Sequence, residues 1–155
     1  MNDMQIVVDR IAQQTTTRFS PASAEDLSAL RTLGLPESVM TFFGRYAPED
    51  CAEGKVRLWP IAHILEENRD YVPGVYIAPL GYIVFASTMC GDAYCFNLND
   101  LSEQGEPAIV LISHEMVPED ITVEEVARVA KPIAKTLYEF LDRFTRNEID
   151  EVCIY

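Results

Sequence analysis

The stretch YIVFASTMCGDAYCFNLNDLSEQGEPAIVLI, residues 82–112, contains three apolar runs separated by two short linkers. Residues 82–86 and 108–112 are apolar throughout, and residues 92–98 place large side chains on one face and small ones on the other. Strands with two apolar faces need cover on both sides, as in the sheets of mixed α and β domains. Both linkers are short enough for antiparallel pairing of consecutive strands. The stretch therefore predicts three neighbouring strands of one antiparallel sheet.

Three helices and one short strand are predicted before this stretch. Ser23 and Asp26 fit a capping box, in which a hydroxyl and a carboxylate each satisfy a free backbone N–H, at the start of the second helix. Pro36 fits the first turn of the third helix, where its missing N–H costs nothing. Residues 56–59 predict a strand that Pro60 ends. The opening helix is predicted from apolar residues at i, i+3, i+4 and i+7, which are Met4, Val7, Val8 and Ile11.

Two helices are predicted after the stretch. Thr122 and Glu125 fit a second capping box, which opens a helix to about residue 130. Pro132 is expected to restart a longer helix, with one apolar face packed on the sheet. That face consists of Ile133, Leu137, Phe140, Leu141 and Phe144. The sequence thus predicts a single α+β domain over residues 1–155, with a mostly antiparallel sheet and flanking helices.

The charge balance limits the classes of partner. The 155 residues include 25 Asp and Glu against 12 Lys and Arg, a formal net charge of −13. This charge disfavours nucleic acid, whose phosphates are bound by Lys and Arg, and it disfavours anionic membrane surfaces. It favours a basic protein partner, or it serves solubility. Without an 18-residue apolar run or a signal-peptide pattern, a cytoplasmic protein that does not cross a membrane is expected.

The negative charge is concentrated in the middle of the chain, because no Lys or Arg occurs between Arg69 and Arg128. In a meander of the three strands, the segments 99–107 and 115–122 lie at opposite ends of the third strand. The end after that strand is the first candidate for partner binding, because five carboxylates fall within eleven residues there. The alternative is a solvated face, with two of the carboxylates suiting a helix N-terminus. The first set is Glu115, Glu119, Asp120, Glu124 and Glu125, and the second is Asp100, Glu103 and Glu106.

No residue pattern predicts catalysis or a cofactor. Gly91 and Asp92 fit a hairpin turn, since glycine can adopt positive φ and the carboxylate can accept from backbone N–H groups. A catalytic Asp92 would need a base or a metal beside it, and none lies nearby in sequence. His114 and Glu115 are adjacent at a strand end, so their side chains diverge. Trp59 is expected in the core, with an interface contact as the alternative.

The four cysteines are expected to be free thiols, because an apolar domain without an export signal does not need disulfides. Two of them could be combined with the two histidines into a zinc site on paper. Their spacing differs from the C-x2–4-C pairs of structural zinc, however, so no metal is expected. The cysteines are Cys51, Cys90, Cys95 and Cys153.

Several blocks, in this order, resemble the SUKH superfamily of Smi/Knr-like proteins. They are LP at residues 35–36, FFG at 42–44, LWP at 58–60, GDAYCFNL at 91–98 and YEFL at 138–141. The resemblance covers residues 27–144 and implies an α+β fold with a mostly antiparallel sheet. It transfers no catalytic residues. The structural motif positions are Pro36, Trp59, Gly91 and Asp92.

The resemblance also implies a function. Many bacterial members are similar to immunity proteins, which neutralise polymorphic or contact-dependent toxins, and the fungal members are cell-wall regulators. The expected function is therefore a non-catalytic protein-binding domain, an immunity protein that occludes a cognate toxin, with a basic toxin domain as a candidate partner. A regulatory or scaffold module is the alternative, and a small-molecule-binding domain or an unrecognised enzyme is a third class. The oligomeric state is left open.

Overall fold

In the computed structural model, which describes residues 3–149, six strands form an antiparallel sheet in strict chain order. Residues 84, 95 and 110 lie side by side on the three central strands, so the predicted meander is confirmed. Two further short strands, β1 (Phe19–Ser20) and β2 (Ala47–Pro48), pair with each other. The six strands of the main sheet are β3 (Ala52–Glu53), β4 (Val56–Leu58), β5 (Tyr82–Thr88), β6 (Ala93–Leu101), β7 (Pro107–Ile112) and β8 (Lys131–Ala134).

The helices begin at the predicted caps. Ser23 Oγ accepts from the Asp26 N–H at 3.1 Å, and Thr122 and Glu125 form the complete capping box. Pro36 is the N-cap of its helix, one position before the predicted first turn. The helices are α1 (Asp3–Thr15), α2 (Ala24–Arg31), α3 (Glu37–Tyr46), α4 (Ile61–Arg69), α5 (Gly74–Ile77), α6 (Val123–Val129) and α7 (Leu137–Thr145), with 3-10 turns at Ala78–Leu80 and His114–Met116.

Both faces of the sheet are covered, as the two apolar faces of its strands predict. On one face, Phe140 of α7 packs edge-on against Phe85 with ring centroids 5.3 Å apart, and it lies 5.2 Å from Tyr94. This contact confirms that the closing helix packs on the sheet. On the other face, α5 and α6 cover a second cluster that includes Val84 and Cys95. The strands thus separate two apolar cores.

Residues 131–134 are a strand, and the prediction of a helix restarting at Pro132 is wrong. They pair with β7 as the sixth strand, with Val110 opposite Pro132. Proline lacks a ladder N–H, but an edge strand tolerates it because one of its sides has no neighbouring strand. The helix begins only at Leu137, where Thr136 Oγ1 accepts from the Glu139 N–H at 3.1 Å.

The buried Asn68 side chain connects α4 to the centre of the sheet. Its Oδ1 accepts from the Val84 N–H at 2.8 Å, and its Nδ2 donates to the Val84 carbonyl at 2.8 Å. The strand β4 pairs with β5 only from Ala86 to Thr88. The Asn68 amide therefore supplies the hydrogen bonds that a longer neighbouring strand would make, and this fixes α4 against β5.

Candidate protein-binding surface

The two predicted acidic sets lie at opposite ends of β7. Residues 93 and 112 pair at one end of the β6–β7 hairpin, and residues 101 and 107 pair at the other. Glu125 is half-buried, because its carboxylate accepts from the Thr122 N–H at 3.1 Å as the second half of the capping box. The exposed carboxylates of the first set are Glu115, Glu119, Asp120 and Glu124, and those of the second are Asp100 and Glu103, with Glu106 half-buried.

A groove of about 540 Å³ opens at the same end of the sheet as the first acidic set. Val84 and Ala93 lie at its base, and residues of β4, α4 and the α4–α5 connection form one wall. The β5–β6 hairpin and His114 form the other wall. The complete lining is Arg57, Trp59, His63, Glu67, Tyr71, Val72, Pro73, Val84, Ser87, Thr88, Met89, Cys90, Gly91, Ala93 and His114.

Trp59 belongs both to the core and to this groove. Its indole packs against the larger core and stacks on the His63 imidazole, with ring centroids 3.8 Å apart and planes at 29°. Its Nε1 is buried without a hydrogen-bond partner among residues 3–149. Trp59 thus packs against the core and also lines the groove, and a contact with a partner through it stays a prediction.

Two carboxylates of α4 surround His63. Glu67 Oε1 lies 3.0 Å from its Nε2, and Glu66 Oε2 lies 4.0 Å from its Nδ1. The three side chains share one side of the helix because they are three and four residues apart. This wall of the groove therefore carries an aromatic stack with acidic groups beside it.

Asp92 fixes the turn of the opposite wall. Its carboxylate is buried, and Oδ1 accepts from the His114 backbone N–H at 3.3 Å and lies 2.9 Å from His114 Nδ1. Thr88 Oγ1 accepts from the backbone N–H groups of Cys90 and Asp92 across the same turn. Gly91 adopts φ +87°, as the predicted hairpin requires.

The Asp92–His114 pair was not recognised from the sequence, in which no base lies near Asp92. Asp92 precedes β6 and His114 follows β7, and the register of residue 93 with residue 112 brings them together across 22 positions. The predicted meander contained part of this signal, because it places the start of the second strand beside the end of the third, but it did not specify the register. A carboxylate orients the imidazole in many catalytic sites. Here it also accepts a backbone N–H, so the pair holds the turn.

Three large apolar side chains on the groove walls are exposed. Tyr71, Val72 and Met89 are 52%, 48% and 61% exposed, and Met116, two residues after His114, is 56% exposed. Aromatic residues and Met are enriched in protein interfaces, whereas scattered single apolar residues carry no such meaning. Three of them on facing walls of one groove form a candidate contact surface.

The cysteine prediction is wrong for Cys90, which is disulfide-bonded. Cys51 and Cys95 are free, as predicted, and Cys153 lies outside the described residues. Within residues 3–149, no group of three or more His, Cys, Asp or Glu side chains is arranged to hold a metal ion. The helices of that same part of the chain are all too short or too polar to cross a membrane.

The sequence profile of the SMI1 / KNR4 family (SUKH-1) matches residues 21–143, most of the chain. The chain belongs to the SMI1 / KNR4 family. No curated protein matches it. The part that matches SUKH-1 begins after α1 and ends within α7, so it contains the main sheet, both walls of the groove and both acidic sets. The SUKH-1 membership confirms the superfamily resemblance and the α+β architecture.

Proposed function

We propose that this SUKH-1 domain is an immunity-type protein that binds a toxin and blocks it by occlusion. The observation that carries the proposal is the groove between α4 and the β5–β6 hairpin, where Tyr71, Val72 and Met89 are exposed next to carboxylates. Occlusion requires a complementary surface and no chemistry in the inhibitor. The proposed domain is therefore a non-catalytic one that acts in the cell producing the toxin.

The charge of the chain supports a basic partner. With a net charge of −13, long-range attraction accelerates the approach of a cationic protein, and the local carboxylates select among partners. A standard interface covers about 800 Å² on each partner, so the groove would form the centre of a larger contact. A toxin that cuts nucleic acid would fit this chemistry, because such enzymes present cationic surfaces to a polyanion.

The test is growth rescue. The polypeptide encoded beside the gene for this chain is expressed alone and together with this chain in a host that contains neither. The proposal expects growth arrest in the first case and normal growth in the second, with a stable complex on size-exclusion chromatography. Arrest that persists although the folded chain is present at equal amount would contradict it.

The alternative function, a regulatory or scaffold module, predicts different results in the same experiments. In that case the neighbouring polypeptide fails to arrest growth, while the chain forms a defined complex with a housekeeping protein. That result would favour the regulatory or scaffold function over the immunity function. Deletion of the chain's gene separates the two further. Loss of an immunity protein harms only cells that carry the toxin gene, whereas loss of a regulator alters cells without it.

A further inference from the structure

The groove combines apolar contact groups with a one-sided charge. Tyr71 and Val72 on one wall and Met89 on the other are exposed. Carboxylates flank both walls, with Glu66 and Glu67 beside His63 on the first and Glu115 directly after His114 on the second. An occupant that matches both features has apolar groups at its centre and positive charge on either side.

Among the described residues that line the groove, Arg57 is the one Arg or Lys side chain. It lies directly opposite Glu53 in the β3–β4 register. Directly opposed residues have Cβ atoms about 4.5–5.5 Å apart, so opposite charges at such positions interact. Beyond Arg57, the α4–α5 connection, the hairpin and the 3-10 turn after β7 contain no Lys or Arg between residues 69 and 128. Acidic side chains therefore predominate around the mouth of the groove.

We infer that the groove binds a segment of the protein partner in which an aromatic or aliphatic side chain is flanked by Lys or Arg. The apolar side chain enters between Tyr71 and Met89, and the cations face Glu66, Glu67 and Glu115. This inference rests on the proposed function in taking the partner to be a protein, but it does not depend on that protein being a toxin. Contacts of this type, buried centrally, carry most of the binding energy of an interface.

The probe is a displayed library of random twelve-residue peptides, selected on the purified chain. The inference expects enriched peptides to contain Lys or Arg next to aromatic or aliphatic residues. Dissociation constants of the best peptides are then measured against two groove variants, Tyr71→Ala and Met89→Ala. Matched controls are Tyr138→Ala on α7 and Leu101→Ala at the far end of β6, which are 39% and 48% exposed in the wild type.

Each groove variant is expected to weaken the selected peptides about tenfold, as truncation of a central contact does, while the controls change them less than about twofold. Circular dichroism and the urea midpoint verify that each variant is folded. Enriched peptides that are acidic or uncharged would overturn the inference. Basic peptides that bind both groove variants as tightly as the wild type would also overturn it, because the groove would then not be their site.

The growth-rescue experiment distinguishes this failure from failure of the proposed function. If rescue succeeds and the Tyr71→Ala and Met89→Ala variants rescue fully under limiting expression, the immunity function stands and the groove is excluded. If rescue fails but basic peptides depend on the groove, the surface stands and the partner is not a toxin.

Discussion

At the residue scale, the Asn68 side-chain amide makes the hydrogen bonds to β5 that the backbone of a neighbouring strand normally makes. Its carbonyl oxygen and its N–H group pair with both polar groups of Val84, and a second Nδ2 hydrogen bond returns to Ile64 of its own helix. A peptide group presents the same donor and acceptor. The match explains how a buried polar residue is accommodated in a largely apolar interior, since its polar atoms have partners.

Replacing Asn68 with Ala is expected to lower the free energy of unfolding by about 2–4 kcal/mol, because the Val84 N–H and carbonyl would lose their partner while buried. Urea unfolding followed by circular dichroism measures the change. Asn99→Ala is the matched control, because its exposed side chain donates to the Leu80 carbonyl at 2.9 Å at the protein surface. The control should change stability by less than about 1 kcal/mol. Equal effects of the two substitutions would refute the role assigned to Asn68.

The buried Cys95 thiol predicts a loss of stability at alkaline pH. Desolvation raises the pKa of Cys95 well above its ordinary value. An unfolded cysteine has a pKa of about 8.5, so above that pH the unfolded chain releases a proton that the folded chain retains. The stability that the buried, protonated thiol contributes is fully present below pH about 8.5 and is lost as the pH rises further.

Between pH 8 and 9.5, the wild type should therefore lose about 1 kcal/mol more of its free energy of unfolding than Cys95→Ala does. Urea unfolding at several pH values measures both slopes. Burial also raises the pKa of Cys51, but that side chain is partly exposed, so Cys51→Ala should flatten the slope less. Identical slopes for the wild type and Cys95→Ala would rule out the effect.

At the element scale, the three central strands of the sheet could be predicted from sequence because they are long and largely apolar on both faces. The strand β8 could not, because four residues that include Pro132 carry too little periodicity to be distinguished from the helix that follows. These residues form a strand because they pair with β7, which is distant in sequence, and not because of their local pattern.

Contact between α4 and α5 depends on the absence of a side chain at Gly74. A Cβ there would lie 2.0 Å from the Glu67 carbonyl oxygen and 2.8 Å from its carbon. Gly74→Ala is therefore expected to force the two helices apart and to cost about 2 kcal/mol or more, measured as a shift of the urea midpoint.

Gly44→Ala provides the opposite control. Gly44 lies inside α3, and a Cβ at this position would meet only Leu27 Cδ1 at 4.0 Å. This substitution should stabilise the protein by about 0.5–1 kcal/mol, because alanine restricts the unfolded chain and favours the helix. Similar effects of the two substitutions would show that the spacing of α4 and α5 does not depend on Gly74.

On the scale of the whole molecule, the two acidic sets at opposite ends of β7 allow a matched test. Glu119→Lys combined with Asp120→Lys should slow association with a basic partner at low salt, and the difference should shrink at high salt as screening increases. Stopped-flow association rates measure this. Asp100→Lys combined with Glu103→Lys is the control with the same change of net charge. If only the control slows association, the binding end is the opposite one.

The location of the acidic sets followed from sequence because it needed only strand order. The groove did not, because its walls join residues from β4, α4, the hairpin and His114, which are brought together by register and by the Asn68 contact. Exposure also separates residues of one chemical type. Met40 is buried on the apolar side of α3 and Met89 is exposed in the hairpin turn, but exposure in a turn does not show whether a residue lines a groove. The sequence therefore predicts the order of the central strands and the acidic character of the candidate surface, but not the groove itself.

The Asn68 contact also sets a limit on insertions and deletions. Asn68 lies eight positions after Pro60, the N-cap of α4. One added or missing residue between them would turn the amide by about 100° around the helix axis and shift it by about 1.5 Å. The amide would no longer meet Val84, and the His63 wall of the groove would move with it. Related chains can therefore vary the side chains on the exposed side of α4. The number of residues from Pro60 to Asn68, however, is constrained by the hydrogen bonds between Asn68 and Val84 of the sheet.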